Sequence, residues 1–258
     1  MRKPSILIVL FTLAALGQQA QAPVELTSEP SHHLVVDNKM VCAFAVSIDP
    51  GKSTLMHRHG HDYLSVSVGD AQIMNAKEGA QPAPVTFKDG DVRFAPSGIV
   101  HAVTNTGTTQ FRNATIELLN PTTNQKPCTE SCSVPVACDS ADKAKCATVT
   151  KVFTSDQWTV SLVTLPAGGT WGQHSHAGGF LVVSLTDDDV AMKNQGQPDA
   201  HTKSKAGDIE WHNPVAHTVT NSGKNTAKSV LLEFNSQPAG GGSQSASARD
   251  ALRSQDRK

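Results

Sequence analysis

The chain lacks a long hydrophobic run. Its most apolar stretch, from Ile6 to Leu16, falls well short of the ~20 apolar residues that a bilayer core requires, which excludes a spanning helix there. Arg2 and Lys3 precede that stretch, and Ala20-Gln21-Ala22 follows it. This order of charge, short apolar core and small-x-small exit predicts a secretory signal peptide over 1–22, cut after Ala22. No cysteine follows the apolar run to accept a lipid, so the expected mature protein is soluble and exported to the periplasm or the extracellular space. An excess of charge is also missing. Losing the signal removes two of 22 basic residues and no acidic one, leaving 20 against 23 and a formal charge of −3. That balance excludes an electrostatic pull toward nucleic acid or an anionic membrane. Aromatics are scarce at 5%, with Tyr63 the single tyrosine, and no segment has a convincing amphipathic helical period.

Cysteine is sparse but concentrated. Four of the five, Cys128, Cys132, Cys138 and Cys146, lie within a span of 19 residues. Export makes disulfides the expected outcome, in one of three pairings that sequence does not separate. A zinc knot is the competing reading, although the spacings fit no common zinc module. Cys42 lies in the apolar "MVCAFAVSI" and is expected to be a buried thiol.

What the chain does contain is itself, twice. Gly51, His57, His59, Tyr63 and Gly90 precede Gly168, His174, His176, Phe180 and Gly207 by 117 positions. His101, Asn105, Gly107 and Glu117 precede His217, Asn221, Gly223 and Glu233 by 116. Both copies are rich in short alternating runs such as "LSVSV", "DVRFA", "FLVVSL" and "SVLLEF", punctuated by Gly, Pro, Asn and Asp. This spacing predicts an all-β sandwich or barrel in each half. The expected organisation is an N-terminal domain over 23–119, a disulfide-stapled linker over 120–147, a C-terminal domain over 148–236, and a disordered Gly/Ser/charged tail over 237–258.

The duplication selects among the histidines. On a strand, residues two apart share a face, so in "MHRHGHDY" either His57 with His59 or His59 with His61 could grip one ion. The second copy, "QHSHAGGF", keeps only the counterparts of His57 and His59, and Gly178 stands where His61 does. His61 is therefore expected to be a pocket or surface residue. A third ligand must come from a distant strand. His101 follows His59 by 42 residues and His217 follows His176 by 41, each opening the same phrase, "HAVTNTG" or "HTVTNSG". The expected metal ligands are thus His57, His59 and His101 in one copy and His174, His176 and His217 in the other. Imidazole ligation favours a divalent Fe, Cu, Zn or Ni over Mg or Ca, one ion per domain.

These residues are also where the chain resembles the cupin superfamily. The first cupin motif is Gly, five residues, His-x-His, three or four residues and Glu; "GKSTLMHRH" and "GGTWGQHSH" match its opening. The second is Gly, five residues, Pro-x-Gly, two residues, His, three residues and Asn. "GDVRFAPSGIVHAVTN" matches it throughout, and "GDIEWHNPVAHTVTN" matches with one residue deleted and no second glycine. The resemblance covers most of the mature chain and implies two tandem jelly-roll β-barrels, a bicupin, with a metal inside each mouth. It also implies a homodimer joined through strand edges.

The departure is the acidic ligand. Counting forward from His59 reaches Tyr63, whereas counting back from Gly69 reaches Asp62. If Leu64, Val66 and Val68 line the barrel, Asp62 shares their parity and Tyr63 does not, so Asp62 is the expected fourth ligand or proton-transfer group. Its counterpart is Gly179, which leaves the second copy without a carboxylate there. Glu117 and Glu233 are candidate proton-transfer groups, or partners holding a ligand histidine; solvent-facing strand residues are the alternative. Arg93 and Glu210, also 117 apart, would give the two sites opposite charge preference if both face their pockets. His212 either approaches the second site or sits on a loop. Asn105 and Asn221 are expected to close turns before Gly107 and Gly223; Trp171 and Trp211 are expected to be core, with walls of an aromatic-friendly pocket as the alternative.

The resemblance implies a metal-dependent enzyme acting on a small oxygenated organic molecule, with dioxygenase-like chemistry first and lyase or isomerase chemistry as a further possibility. A non-catalytic barrel that captures a metal or a small ligand such as a sugar acid is the alternative from a different class.

Overall fold

Period-two alternation does form the strands, and the chain is nearly all β. The computed structural model describes residues 22–130, 132–138 and 140–236. Residues 1–21 of the expected signal peptide and the expected tail from 237 lie outside the described residues. In the first half the strands are β1 (Val24–Glu25), β2 (His32–Asp37), β3 (Val41–Ile48), β4 (His57–Arg58), β5 (Asp62–Ser67), β6 (Ala71–Lys77), β7 (Ala83–Phe87), β8 (Val92–Ala95), β9 (Val100–Asn105) and β10 (Phe111–Leu118). They pair as two five-stranded sheets, β1-β4-β9-β6-β7 and β2-β3-β10-β5-β8.

The second half repeats the plan with β11 (Lys126–Pro127), β12 (Ser133–Val134), β13 (Thr148–Thr154), β14 (Trp158–Leu165), β15 (Thr170–His176), β16 (Phe180–Ser184), β17 (Asp188–Asn194), β18 (Ala200–Ser204), β19 (Ile209–His212), β20 (Val215–Asn221) and β21 (Ala227–Phe234). Its sheets are β11-β13-β14-β21-β16-β19, with β12 added to β13, and β15-β20-β17-β18. The architecture is two tandem jelly-roll barrels. Among the described residues no helix is long and apolar enough to cross a membrane.

The cysteine-rich segment does more than link. Its β11 and β12 extend the β13 edge, and it closes two short disulfides, Cys128–Cys132 and Cys138–Cys146. Ala137, next to Cys138, accepts a 2.7 Å hydrogen bond from the Gly172 amide on β15. A Cβ on Gly172 would lie 2.7 Å from that same carbonyl oxygen, so only glycine lets the strap sit down. Cys42 is a free, half-buried thiol whose Sγ lies 3.4 Å from Asp37 Oδ1. Burial, reinforced by Asp37, pushes its pKa up to about 11.

The largest apolar core lies between the barrels, not inside either one. Leu64, Val66 and Val68 from β5 and its end, with Ala114, Ile116 and Leu118 from β10, pack in one cluster with Trp158, Val160, Leu181, Val183, Val230 and Leu232 of the second half. Burial of these faces at ~25 cal/mol per Å² holds the two barrels back to back. Gly90, with φ +79°, sits where the halves meet; a Cβ there would come within 2.9 Å of Leu185. This packing overturns the parity argument used for Asp62. The β5–β10 sheet is buried on both faces, and its apolar face meets the other barrel while its polar face lines the cavity.

The two turn asparagines have identical settings. Asn105 donates to the carbonyls of Ile48 and Thr109 and accepts from Gly107 N, and Asn221 does the same with Leu165, Asn225 and Gly223. Each satisfies three buried backbone groups where the chain leaves the histidine strand, which explains their retention through the duplication.

Candidate metal centres

Each barrel brings its predicted histidine triad to one point. In the first, β4 supplies His57, the turn after it His59, and β9 supplies His101, with His57 and His101 paired directly across the ladder. All three are buried, and one ring nitrogen from each lies within 4.8 Å of the others. His174, His176 and His217 form the second group under the same limit, with His174 opposite His217.

Outer partners determine which nitrogen faces inward. His57 Nδ1 donates to Leu55 O at 2.9 Å and His101 Nδ1 to Asn75 Oδ1 at 2.9 Å. His59 Nδ1 faces Glu117 Oε1 at 3.6 Å, ion-pair range but longer than a hydrogen bond. Each Nε2 is thereby left with its lone pair toward the triad. His57 Nε2 is buried without a hydrogen-bond partner, and the His59 and His101 Nε2 atoms lie 3.1 Å apart. Two lone pairs at that distance repel unless a cation lies between them. Two metal–nitrogen bonds of ~2.1 Å at about a right angle would set the nitrogens ~3.0 Å apart, so the donor set fits a transition ion.

The second triad repeats this. His174 Nδ1 donates to Gly172 O at 2.8 Å, His176 Nδ1 to Glu233 Oε1 at 2.9 Å, and the Nε2 atoms of His174 and His217 lie 3.0 Å apart. Two differences stand out, the first being that His176 Nδ1 is hydrogen-bonded where His59 Nδ1 is not. Met192 occupies the position of Asn75 on the equivalent strand pair, and His217 Nδ1 is buried with no partner. Burial depresses these rings as bases: His57 is pushed down to about 4, and His101 and His217 to about 3, the neighbouring imidazoles adding to the effect. They are neutral, ligand-ready imidazoles at physiological pH.

The structure treats the carboxylate candidates differently. Asp62 is not brought to the triad; its Oδ1 accepts from Ser97 N at 2.8 Å, and it is not among the cavity-lining residues. Tyr63 takes the cavity position instead, stacked on His59 with centroids 3.8 Å apart. Phe180 stacks likewise on His176 at 4.1 Å. Desolvation, with Glu117 nearby, pushes the Tyr63 phenol up to about 12. Glu117 lies behind His59, bonded to Gly60 N at 3.1 Å and 3.4 Å from the half-exposed His61, and Glu233 lies behind His176. Neither glutamate lines a cavity; both orient a ligand histidine.

His32 was invisible to sequence reasoning, whereas Trp171, His212, Arg93 and Glu210 were in view with their placement open. His32 on β2 lines the first cavity with its ring 4.8 Å from His57, and its Nδ1 is 2.6 Å from buried Glu29. Its counterpart across the repeat is Val149, so the duplication could not flag it. Trp171, expected in the core, stacks flat on His174 at 3.9 Å and walls the second cavity. His212 lines the same cavity and stacks on Phe180. Arg93 and Glu210 do face their respective cavities, of about 220 and 110 Å³.

Comparison with known proteins agrees with this architecture. No protein-family model matches the chain. The beta-alanine degradation protein BauB of Pseudomonas aeruginosa is 37% identical over 71 residues, 27% of this chain and 73% of that protein. Among solved structures, AerE from Microcystis aeruginosa superposes with a TM-score of 0.55 at 10% identity, over 80% of this chain and 98% of that one. Bacillus subtilis oxalate decarboxylase, a protein with Mn(II) centers, superposes with a TM-score of 0.55 at 12% identity, over 81% and 76% of the two chains. With its two jelly-roll barrels and its duplicated histidine motifs, the chain belongs to the cupin superfamily.

Proposed function

We propose that this protein is an exported, metal-dependent bicupin enzyme that transforms a small oxygenated organic molecule in its first barrel, by dioxygenase-like chemistry. The carrying observation is the convergence of three Nε2 lone pairs on one point, with two of the nitrogens 3.1 Å apart, beside a cavity of about 220 Å³. Bound at the triad, a divalent transition metal would supply Lewis acidity and, if iron or copper, redox chemistry with dioxygen. The chain's own contribution is orientation and proton handling. Leu55 O and Asn75 hold His57 and His101 in one tautomer, and Glu117 lies within ion-pair range of His59 Nδ1. Asp62 and Glu117 do not reach the cavity, so the proton-accepting group there is His32, whose Nδ1–H is held by Glu29. Tyr63, Phe87 and Phe94 give the cavity an aromatic wall. Two disulfides support an oxidising, extracytoplasmic compartment.

The smaller second cavity, about 110 Å³, and the unpartnered His217 Nδ1 favour a different use of that barrel, as a structural or binding metal site. Elemental analysis of the purified wild type, His57→Ala and His174→Ala tests the metal reading. The expected content is two ions per chain, falling to one in each variant, with Mn(II) included among the ions offered beside Fe, Cu, Zn and Ni. Oxygen uptake against carbon dioxide release then separates dioxygenase from decarboxylase chemistry. Protein that stays metal-free after incubation with every ion refutes the proposal.

A further inference from the structure

The two cavities descend from one ancestor, so their differences report what each now holds. The first is bounded by the triad on one sheet and by a polar chain on the other. On the inner face of β5 and β10, Thr115 Oγ1–H donates to Asn113 Oδ1 at 3.0 Å and Asn113 Nδ2 donates to Ser65 Oγ at 2.8 Å. This direction leaves the Ser65 hydroxyl proton and the second Asn113 amide proton as the donors at the open end. Asn113 and Thr115 are 6% and 5% exposed, and buried donors of this kind are costly unless an acceptor meets them.

Positive charge stands beside the chain. Arg93 is directly opposite Ser65 in the β5–β8 register, its guanidinium 4.2 Å above the Phe87 ring and its Nη2 donating to Thr86 O at 2.8 Å. Lys77 lines the same cavity from the facing sheet. Glu29, beside the cavity-lining His32, is already committed to that ring and to the amides of Ser31 and Leu55.

In the second barrel this polar chain and its arginine are gone, although Lys228 lines that cavity. Ser65, Asn113 and Thr115 correspond to Val182, Ser229 and Leu231, which keep the same strand pairing. Arg93 corresponds to Glu210, and the cavity is half the size.

We infer that the first barrel selects a small carboxylate bearing a second oxygen function, and that Ser65, Asn113 and Arg93 are the residues that choose it. One oxygen group meets the triad, which rests on the metal reading above; the carboxylate meets the polar chain and Arg93. A cavity of about 220 Å³ is below the ~300–1,000 Å³ typical of drug-sized ligands and limits the molecule to a few carbons. The second barrel, with Glu210 in place of Arg93 and with Val182 and Leu231 in place of Ser65 and Thr115, rejects the same anion.

Calorimetric titration of the metal-replete full chain with malonate and lactate, against their uncharged amides, tests this. The expected result is one carboxylate per chain, bound at least tenfold more tightly than its amide, in wild type and in His174→Ala. Asn113→Asp, which keeps the size and the bond from Thr115 but turns the Ser65 bond round, so that the Ser65 hydroxyl becomes its donor, and adds a negative charge, is expected to weaken carboxylate binding at least tenfold, as is Arg93→Glu. Metal content and melting temperature, read on the same samples, are expected not to move. Equal affinity for acid and amide, or undiminished binding in a folded Asn113→Asp, overturns the inference. Full metal content with no carboxylate bound overturns it too and leaves the proposed function standing. Carboxylate binding without any metal overturns the proposed function and leaves selection by Ser65, Asn113 and Arg93 standing.

Discussion

Exchanging Asn75 and Met192 should exchange the metal affinities of the two barrels. His101 Nδ1 donates to Asn75 Oδ1 at 2.9 Å, whereas the equivalent His217 Nδ1 is buried with no partner because Met192 stands in the asparagine's place. Leaving one buried polar group unsatisfied costs ~1–3 kcal/mol. At ~1.4 kcal/mol per factor of ten, that is about a 5- to 150-fold change in affinity, which brackets the ~10–100-fold typical when an outer partner of a ligand histidine is removed. Asn75→Met should therefore weaken the first site by roughly an order of magnitude or more. Met192→Asn should strengthen the second by a similar factor, since it supplies the missing acceptor. The sites can be read singly by chelator competition, the first in a His174→Ala background and the second in His57→Ala. If Asn75→Met is folded and its first-site affinity stays within about twofold of the parent, the Nδ1 contact does not tune the ligand and the reasoning fails.

Three further outcomes follow from the same geometry. In the metal-free protein, His57 and His101 have folded pKa values near 4 and 3, below the ~6.5 of the unfolded chain, so the unfolded state binds more protons between those limits; stability is fully present above about pH 6.5 and falls on acidification toward pH 4, and a urea midpoint unchanged from pH 7 to 4.5 would contradict this. Leu64→Ala should cost ~2–5 kcal/mol in chemical denaturation while metal content holds, because Leu64 faces the other barrel; Asp62→Asn should likewise leave the metal in place, and loss of metal in either variant would restore the rejected parity. Replacing Cys138 and Cys146 with serine should loosen the Ala137–Gly172 contact and lower the metal affinity of the second site alone, measured by the same competition, since Gly172 O holds His174 Nδ1; equal loss at both sites would mean general destabilisation instead.

Much of the site was legible because duplication filters residues by use. His57, His59 and His101 recur at matched spacing in His174, His176 and His217, and the structure brings each set together within 4.8 Å. Glu117 and Glu233 recur for the same reason, although their place is behind the imidazoles and not before a substrate. The filter works only for features that both halves keep. His32, Asn75, Ser65 and Asn113 face Val149, Met192, Val182 and Ser229 across the repeat, so what distinguishes the first cavity is what the self-comparison discards.

The misplacement of Asp62 has a different cause. Alternation along "DYLSVSV" determines that Tyr63, Ser65 and Ser67 share one face and Leu64, Val66 and Val68 the other, but not which face is inside. In an isolated barrel the apolar face would turn inward. Here the second barrel offers Trp158, Val160 and Leu232 to bury that face, which frees the interior for polar side chains. Strand periodicity, repeat offset and histidine spacing are local quantities, so the sequence by itself determined two β-barrels and six histidines in two triads. Which face of each strand met solvent, ligand or neighbour was a choice between burial partners far apart in the chain, and only the tertiary packing decided it.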